Sequence, residues 1–424
     1  MRPISSADNA IVVSPASDAR WLVFWAAFLG WMFDGLEMGI FPLVARPALL
    51  ELVPGADDRF VGQWMGYVTA LFLVGAALGG LLFGWLGDRF GRVRTMALSV
   101  LTYSIFTGLC FFARQPWHLG AFRFVAALGM GGEWSLGVAL VMECWPEVRR
   151  PALAAGIGAA SNVGFALIAV LGLMFKVTIS SWRWVMLVGM APAALTLLIQ
   201  LFVPESEKWK QSTGERSRAS AGPLKEVLSP PLLRITLLAI GFASIALIGT
   251  WGSVQWIPLW IDKLVGAGHP RAKAVSQILS ASGAVVGCII GALVAGRWGR
   301  RITYFALCLL SLLLCGWMWR GFADFSPGLM IVIFGVGAAT AAFYGWLPLY
   351  LPELFPTRVR ATGQGLGYNA GRIFAAVGAI YTSALVKHYD GSYARAGSVV
   401  TLIYVVGLVL IWFAPETRGR PLPE

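Results

Sequence analysis

G-W-L-G-D-R-F-G-R-V-R, residues 84–94, closes one long apolar run, and A-L-V-A-G-R-W-G-R-R, residues 292–301, closes another displaced from the first by 208 positions. Gly91 then corresponds to Gly299, Arg89 to Arg297 and Arg92 to Arg300, while Asp88 meets Gly296. The same displacement carries Gly75 onto Gly283 and Gly79 onto Gly287. E-C-W-P-E-V-R-R (143–150) returns as E-L-F-P-T-R-V-R (353–360), and P-E-S (204–206) returns as P-E-T (415–417), displaced by 210 and 211. Four matches at nearly one offset predict two halves built on a common plan.

The runs between these motifs are long enough to span a bilayer, which takes about 20 apolar residues per helix. Twelve are read at 21–44, 62–86, 95–113, 117–142, 152–176, 182–203, 234–260, 274–296, 302–320, 327–351, 361–386 and 397–414. The composition agrees, at 58% hydrophobic and only 13% charged, with a mean hydropathy of +0.72. The expected architecture is an all-α membrane protein of twelve transmembrane helices in two six-helix pseudo-repeats, 21–203 and 234–414. A polar linker, 204–233, joins them, with tails at 1–20 and 415–424; residues 1–20 lack the apolar core of a cleavable signal.

The net charge of +12 would suggest a nucleic-acid partner in a soluble protein. Here the basic residues lie between spans, so no nucleic acid is expected and the charge reports orientation. With the N-terminus inside, the inner segments hold 20 Lys and Arg, the outer loops 11 and the spans 2. Both termini are therefore expected in the cytoplasm, in a plasma or inner membrane. Cys110, Cys144, Cys288, Cys308 and Cys315 show no metal or disulfide spacing, and His118, His269 and His388 fall at outer ends or loops. No nucleophile–base set, metal cluster or phosphate loop is visible, so neither an enzyme nor a bound cofactor is expected.

Gly84-x-Leu86-x-Asp88-Arg89-x-Gly91-Arg92 with its degenerate copy, Arg123 leading into Gly129 and Gly131, and the P-E-S and P-E-T-R-G ends together resemble the major facilitator superfamily, over residues 21 to 419. The resemblance implies alternating access by a functional monomer. It also implies gating roles for Gly84, Asp88, Arg89, Gly91, Arg92, Glu143, Arg150, Glu353 and Arg360. F-R-F-V-A-A-L-G-M-G-G-E-W (122–134) and 353–372 resemble the organic-acid branches, first the sialate, lactate and pyruvate proton symporters and then the aromatic-acid proton symporters. Asp34-Gly35-Leu36-Glu37 is similar to the Asp-Gly-x-Asp of the latter, with Glu in the second acidic place. Ala127 replaces a glycine usual after the fourth-span arginine, and Gly296 stands where the second half would need an aspartate latch.

Five charges lie where hydrocarbon is expected: Asp34, Glu37, Glu133, Arg123 and Arg372. Each costs at least a few kcal/mol at that depth unless it faces protein or water. At 1.5 Å per residue, Asp34 lies about 20 Å from Trp21 and Glu37 about one turn further out on the same face. Arg123 reaches a depth close to that of Glu37, so the two can pair if the first and fourth spans adjoin as in the family fold. Glu133 lies about 15 Å deeper than Arg123, in the inner half.

A carboxylate that gains and loses a proton as the site alternates would couple transport to protons. Asp34 is the first candidate, with Glu37 or Glu133 second; a static pairing with arginine is the competing account. Arg372, near the midplane, offers a donor fork for a carboxylate and leads as the anion site, with Arg123 second. Gln255, Asn162, Asn369 and Tyr368 are further pocket candidates, whereas Trp260 and Tyr350, near helix ends, fit an interfacial aromatic belt. The expected function is proton-coupled symport of a small organic anion: a monocarboxylate, a sialate-like acid or an aromatic acid. A neutral sugar or polyol carrier and a non-transporting membrane sensor remain the alternatives.

Overall fold

The computed structural model describes the backbone of residues 17–144, 150–203, 205, 223–266, 269, 271–356 and 359–418. Its helices are α1 Ser17–Leu52, α2 Asp58–Phe90, α3 Arg92–Leu109, α4 Pro116–Cys144, α5 Arg150–Met174, α6 Trp182–Val188, α7 Ala193–Phe202, α8 Pro223–Val227, α9 Pro230–Gly252, α10 Ile257–Val265, α11 Ala272–Trp298, α12 Arg300–Gly321, α13 Pro327–Leu354, α14 Arg360–His388, α15 Tyr393–Val400 and α16 Ile403–Leu410. Each of the twelve apolar stretches falls on one of these helices or on a consecutive pair. Among the described residues, eight helical stretches are long and apolar enough to cross a membrane. Much of the linker and both extreme tails lie outside the described residues.

Three spans are broken, and the chain gives a reason in two of them. Pro192 precedes α7 and cannot continue the hydrogen-bonded ladder of α6. Ser253, in a non-helical conformation after Gly249 and Gly252, separates α9 from a short 3₁₀ turn and α10, where Pro258 sits in the first turn. The last span divides at Thr401 and Leu402.

The glycine stripes are explained by close backbone approach. A Cβ on Gly79 would strike the Leu128 carbonyl of α4, and one on Gly131 would strike Ala76 of α2. In the second half Gly287 meets Ala338 of α13, and Gly337 meets Ser280 of α11. The repeat seen in the sequence is thus a repeated helix pair, α2 with α4 and α11 with α13. Gly35 and Gly164 press α1 against α5 in the same way, with Ser161 and Met32 as their neighbours. That contact fixes the helix turn carrying Asp34.

The belt assignment of Trp260 and Tyr350 is corrected. Both are buried. Trp260 packs on Trp319, ring centroids 4.8 Å apart, and the Tyr350 hydroxyl donates to the Pro415 carbonyl at 2.5 Å. Helix–helix contact inside the second half, not the membrane interface, takes these rings.

Candidate functional site

The buried charges gather where α1 and α4 meet, and they divide into two unlike groups. Arg123 Nη1 donates to Glu37 Oε1 at 2.9 Å, with the two side chains 2% and 1% exposed. Thr107 of α3 adds a second donor to the same oxygen at 3.0 Å. The guanidinium also lies over Phe41 and Phe72, 4.9 and 4.7 Å from the ring centroids. Attraction, a second hydrogen bond and aromatic faces together offset much of the desolvation that a buried pair suffers.

Asp34 and Glu133 form the other group. Their carboxyl groups lie within hydrogen-bonding reach of each other, and Glu133 rests against Gly30, one turn before Asp34 on α1. All four oxygens are buried, and among the described residues none receives a hydrogen bond from a protein donor. The Tyr103 hydroxyl of α3, also buried without a partner among the described residues, lies within electrostatic reach of Glu133, Asp34 and Glu37. Neither Thr107 nor Tyr103 is marked by any motif; a polar side chain at carboxylate depth on α3 is the only sequence signal for them.

Arg372 of α14 approaches from the other half and acts on Asp34 electrostatically. No ion pair to it occurs among the described residues. Nη1 instead makes two long contacts, to the Ala76 carbonyl of α2 at 3.3 Å and to Asn369 Oδ1 at 3.4 Å. The guanidinium stacks over Tyr368 at 5.1 Å, and Asn369 faces Gly80 of α2. Asp34, Glu133, Arg372, Tyr368 and Asn369 therefore share one region between the halves. Asn162 lies elsewhere on that interface, donating to Cys288 Sγ of α11 at 3.7 Å. Gln255, in the break after α9, is buried, and its Oε1 has no partner among the described residues. Trp251 crosses from α9 to pack against Phe72, with the rings tilted and 5.5 Å between centroids. Cys110, Cys288, Cys308 and Cys315 are buried free thiols; Cys144 has its side chain outside the described residues.

At the motif end, Gly91 and Gly299 turn the chain with φ of 108° and 99°, a region that favours glycine. The carboxylate of the following tail then caps the next helix. Glu205 accepts from the Val93 N–H at 3.1 Å, and Glu416 accepts from the N–H groups of Arg300 and Arg301, both at 3.0 Å. This accounts for the paired P-E-S and P-E-T ends: a negative charge sits on a positive helix N-terminus. Burial pushes the Glu416 carboxyl up, but backbone donors from Arg300, Arg301, Arg418 and Thr417 outweigh it and hold the group below its usual range. Glu353 binds Arg300 through two bonds, 2.9 and 2.6 Å, and receives Thr417 Oγ1 at 2.5 Å. Of the other motif residues, Gly84, Asp88, Arg89, Arg92, Glu143, Arg150 and Arg360 lie outside the residues whose side chains are described.

The chain belongs to the major facilitator superfamily, whose family model matches residues 21–379. It is 27% identical over 441 residues to a niacin transporter of Acinetobacter baylyi, covering 96% of this chain and 97% of that protein. It is also 27% identical over 411 residues to a cis,cis-muconate transport protein of the same species, covering 94% and 95%. The fold is similar to that of a xylose transporter of E. coli in a partially occluded inward-open conformation, with a TM-score of 0.74 over 96% of this chain and 100% of that chain. Sequence identity there is 16%, so the likeness concerns the fold alone. The protein is an integral membrane transporter of a small molecule, not an enzyme.

Proposed function

We propose that this transporter carries a small organic carboxylate by proton-coupled symport, with the Asp34–Glu133 pair as the proton site and Arg372 as the anion site. The observation that carries the reading is the contrast between two adjacent groups. Among the described residues, one is a buried carboxyl pair with no hydrogen-bond donor and the other is an arginine with no carboxylate in ion-pair contact. Two like charges this close in a low dielectric are stable together only when a proton lies between them. Arg372 steadies Asp34 from a distance; once a substrate carboxylate occupies its donor fork, that support weakens and Asp34 favours its proton. Anion and proton then enter together, and the loaded site is close to neutral when the halves, 21–203 and 234–414, rock past each other.

Tyr368 and Asn369 hold the plane of the guanidinium, and Gln255 and Asn162 are candidates for the rest of the solute. Glu37 and Arg123 serve as a fixed brace between α1 and α4. Niacin and muconate, named for two relatives, are both conjugated carboxylates, which supports an unsaturated or aromatic acid. The excess of Lys and Arg in the segments on the terminal side supports cytoplasmic termini, and a single chain is the unit of transport.

Uptake into proteoliposomes under an imposed inward proton gradient tests this. The panel is niacin, muconate, benzoate, lactate, sialate, xylose and glucose, with Asp34→Asn and Arg372→Ala beside the wild type. Gradient-driven acid uptake, lost in both variants, is expected. Gradient-independent flux of a neutral sugar, retained in Arg372→Ala, would overturn both the proton and the anion site.

A further inference from the structure

At the end of the bundle away from the Gly91 and Gly299 turns, charges from the two halves form an alternating chain. Lys273 of α11 pairs with Asp262 of α10 at 3.2 Å, and Asp262 also pairs with Arg46 of α1 at 3.5 Å. Arg46 pairs with Asp58 of α2 at 3.4 Å, and Asp58 with Lys263 of α10 at 3.1 Å. Arg59 and Asp390 add another pair across the halves. Behind this tier, Lys273 Nζ donates to the Val177 carbonyl at 2.9 Å. Deeper still, Gln277 Nε2 reaches the Gly39 and Phe165 carbonyls at 3.1 and 3.2 Å. A Cβ on Gly296 or Gly365 would meet nothing within 4 Å.

We infer that Arg46, Asp58, Asp262, Lys263 and Lys273 are the gate at this end, and that Arg46–Asp262 and Asp58–Lys263 are the pairings that part when the gate opens. The sharing of the two carboxylates makes the gate reversible. Asp58 is held by Arg46 from its own half and by Lys263 from the other; Asp262 is held by Lys273 from its own half and by Arg46 from the other. Parting the halves breaks Arg46–Asp262 and Asp58–Lys263 but leaves Arg46 with Asp58 and Lys273 with Asp262. The buried Lys273 keeps its counter-charge, so the large penalty of stranding a buried ion is avoided. Lys263, with a side chain 35% exposed, keeps the Gly391 carbonyl of its own half at 3.0 Å and turns its other donors to water. The cross-half ion pairs are individually weak because they are partly solvated; with the buried Lys273–Val177 and Gln277–Gly39 hydrogen bonds behind them, they hold the closed state together.

The test is a pair of distance measurements on the full chain in lipid, with its five cysteines replaced and without any substrate, so its outcome is independent of which solute is carried. Spin labels at the exposed Gln115 and Asp324 report the gated end, and labels at Arg94 and Arg297 report the motif end. Asp262→Asn is expected to raise the long-distance population at the gated end about threefold, and Arg46→Gln with Asp262→Asn about tenfold. The motif-end distance should shorten in the same samples, which a local loosening of loops would not produce. Arg46→Lys, with one compact cation where the fork had two reaches, should fall between wild type and the double variant. Where the double variant is not recovered folded, Lys263→Gln supplies the same readout at the most exposed pair among the five gate residues. Unchanged distances at both ends in a folded variant overturn the gate.

Discussion

Two acidic centres occupy neighbouring turns of α1 and meet opposite treatment. Glu37 receives Arg123 and Thr107; one turn away, Asp34 receives only another acid, Glu133. Burial is equally complete for both, so depth in the membrane does not separate them; the partners do. A satisfied buried pair is stable in one arrangement and costly to part. An unsatisfied acid pair keeps its proton unless a nearby cation offsets the second charge, so the position of that cation can choose between the protonated and ionised pair. A brace and a switch can therefore be built from the same side-chain chemistry on one helix.

The sharpest way to break this contrast is to remove the cation from the brace. Arg123→Leu strands Glu37 and should cost about 3–5 kcal/mol of stability, seen as a lowered unfolding midpoint in detergent and poor recovery. Glu37→Leu together with Arg123→Leu should restore most of the loss; failure to do so would mean that the pair is no brace. The switch should respond in the opposite sense. Asp34→Asn and Glu133→Gln each remove one of two repelling charges, so stability should stay within about 1 kcal/mol of wild type. Proton-driven accumulation should fall at least about tenfold, while exchange of labelled for unlabelled solute across the membrane persists. Equal loss of accumulation in a well-folded Glu37→Gln would erase the distinction.

A finer cut is Thr107→Val, which removes one of the two donors to Glu37 Oε1. It should cost about 1 kcal/mol and leave coupling unchanged, measured by unfolding and by the uptake assay. The smallest effect is expected outside the membrane. Glu416→Gln weakens the cap on α12 by a few tenths of a kcal/mol. The Glu416 carboxyl is held below its usual range in the folded chain, so its contribution is complete above the ordinary Glu range and fades as pH falls below about 4. The variant and wild type should converge there, and a persistent gap would point to a packing effect.

Much of the fold is legible in the amino-acid sequence because the bilayer imposes it. A backbone in hydrocarbon must bond to itself, so twelve apolar runs read directly as helices. Close helix approach demands small residues, so the glycine stripes point to the α2–α4 and α11–α13 pairs. Depth along a helix is arithmetic, which is why residue counting alone matches Arg123 to Glu37. The same counting misplaces Trp260 and Tyr350, because position along a helix says nothing about which way a ring points. The gate charges, Arg46, Asp58, Asp262, Lys263 and Lys273, pass as ordinary polar residues at helix ends, since their meaning lies in partners from the other half.

By itself the sequence determined the twelve spans, the two-fold plan, the membership of the family and the short list of charges too costly to be incidental. Only the tertiary structure decided how those charges divide: Glu37 to an arginine, Asp34 to another acid, and Arg372 to neither. Periodicity and hydropathy are properties of one helix and its solvent, and they survive in a single string of letters. Whether a buried charge is satisfied depends on side chains brought within about 3 Å from distant parts of the chain, and that is set by how the helices rotate and pack.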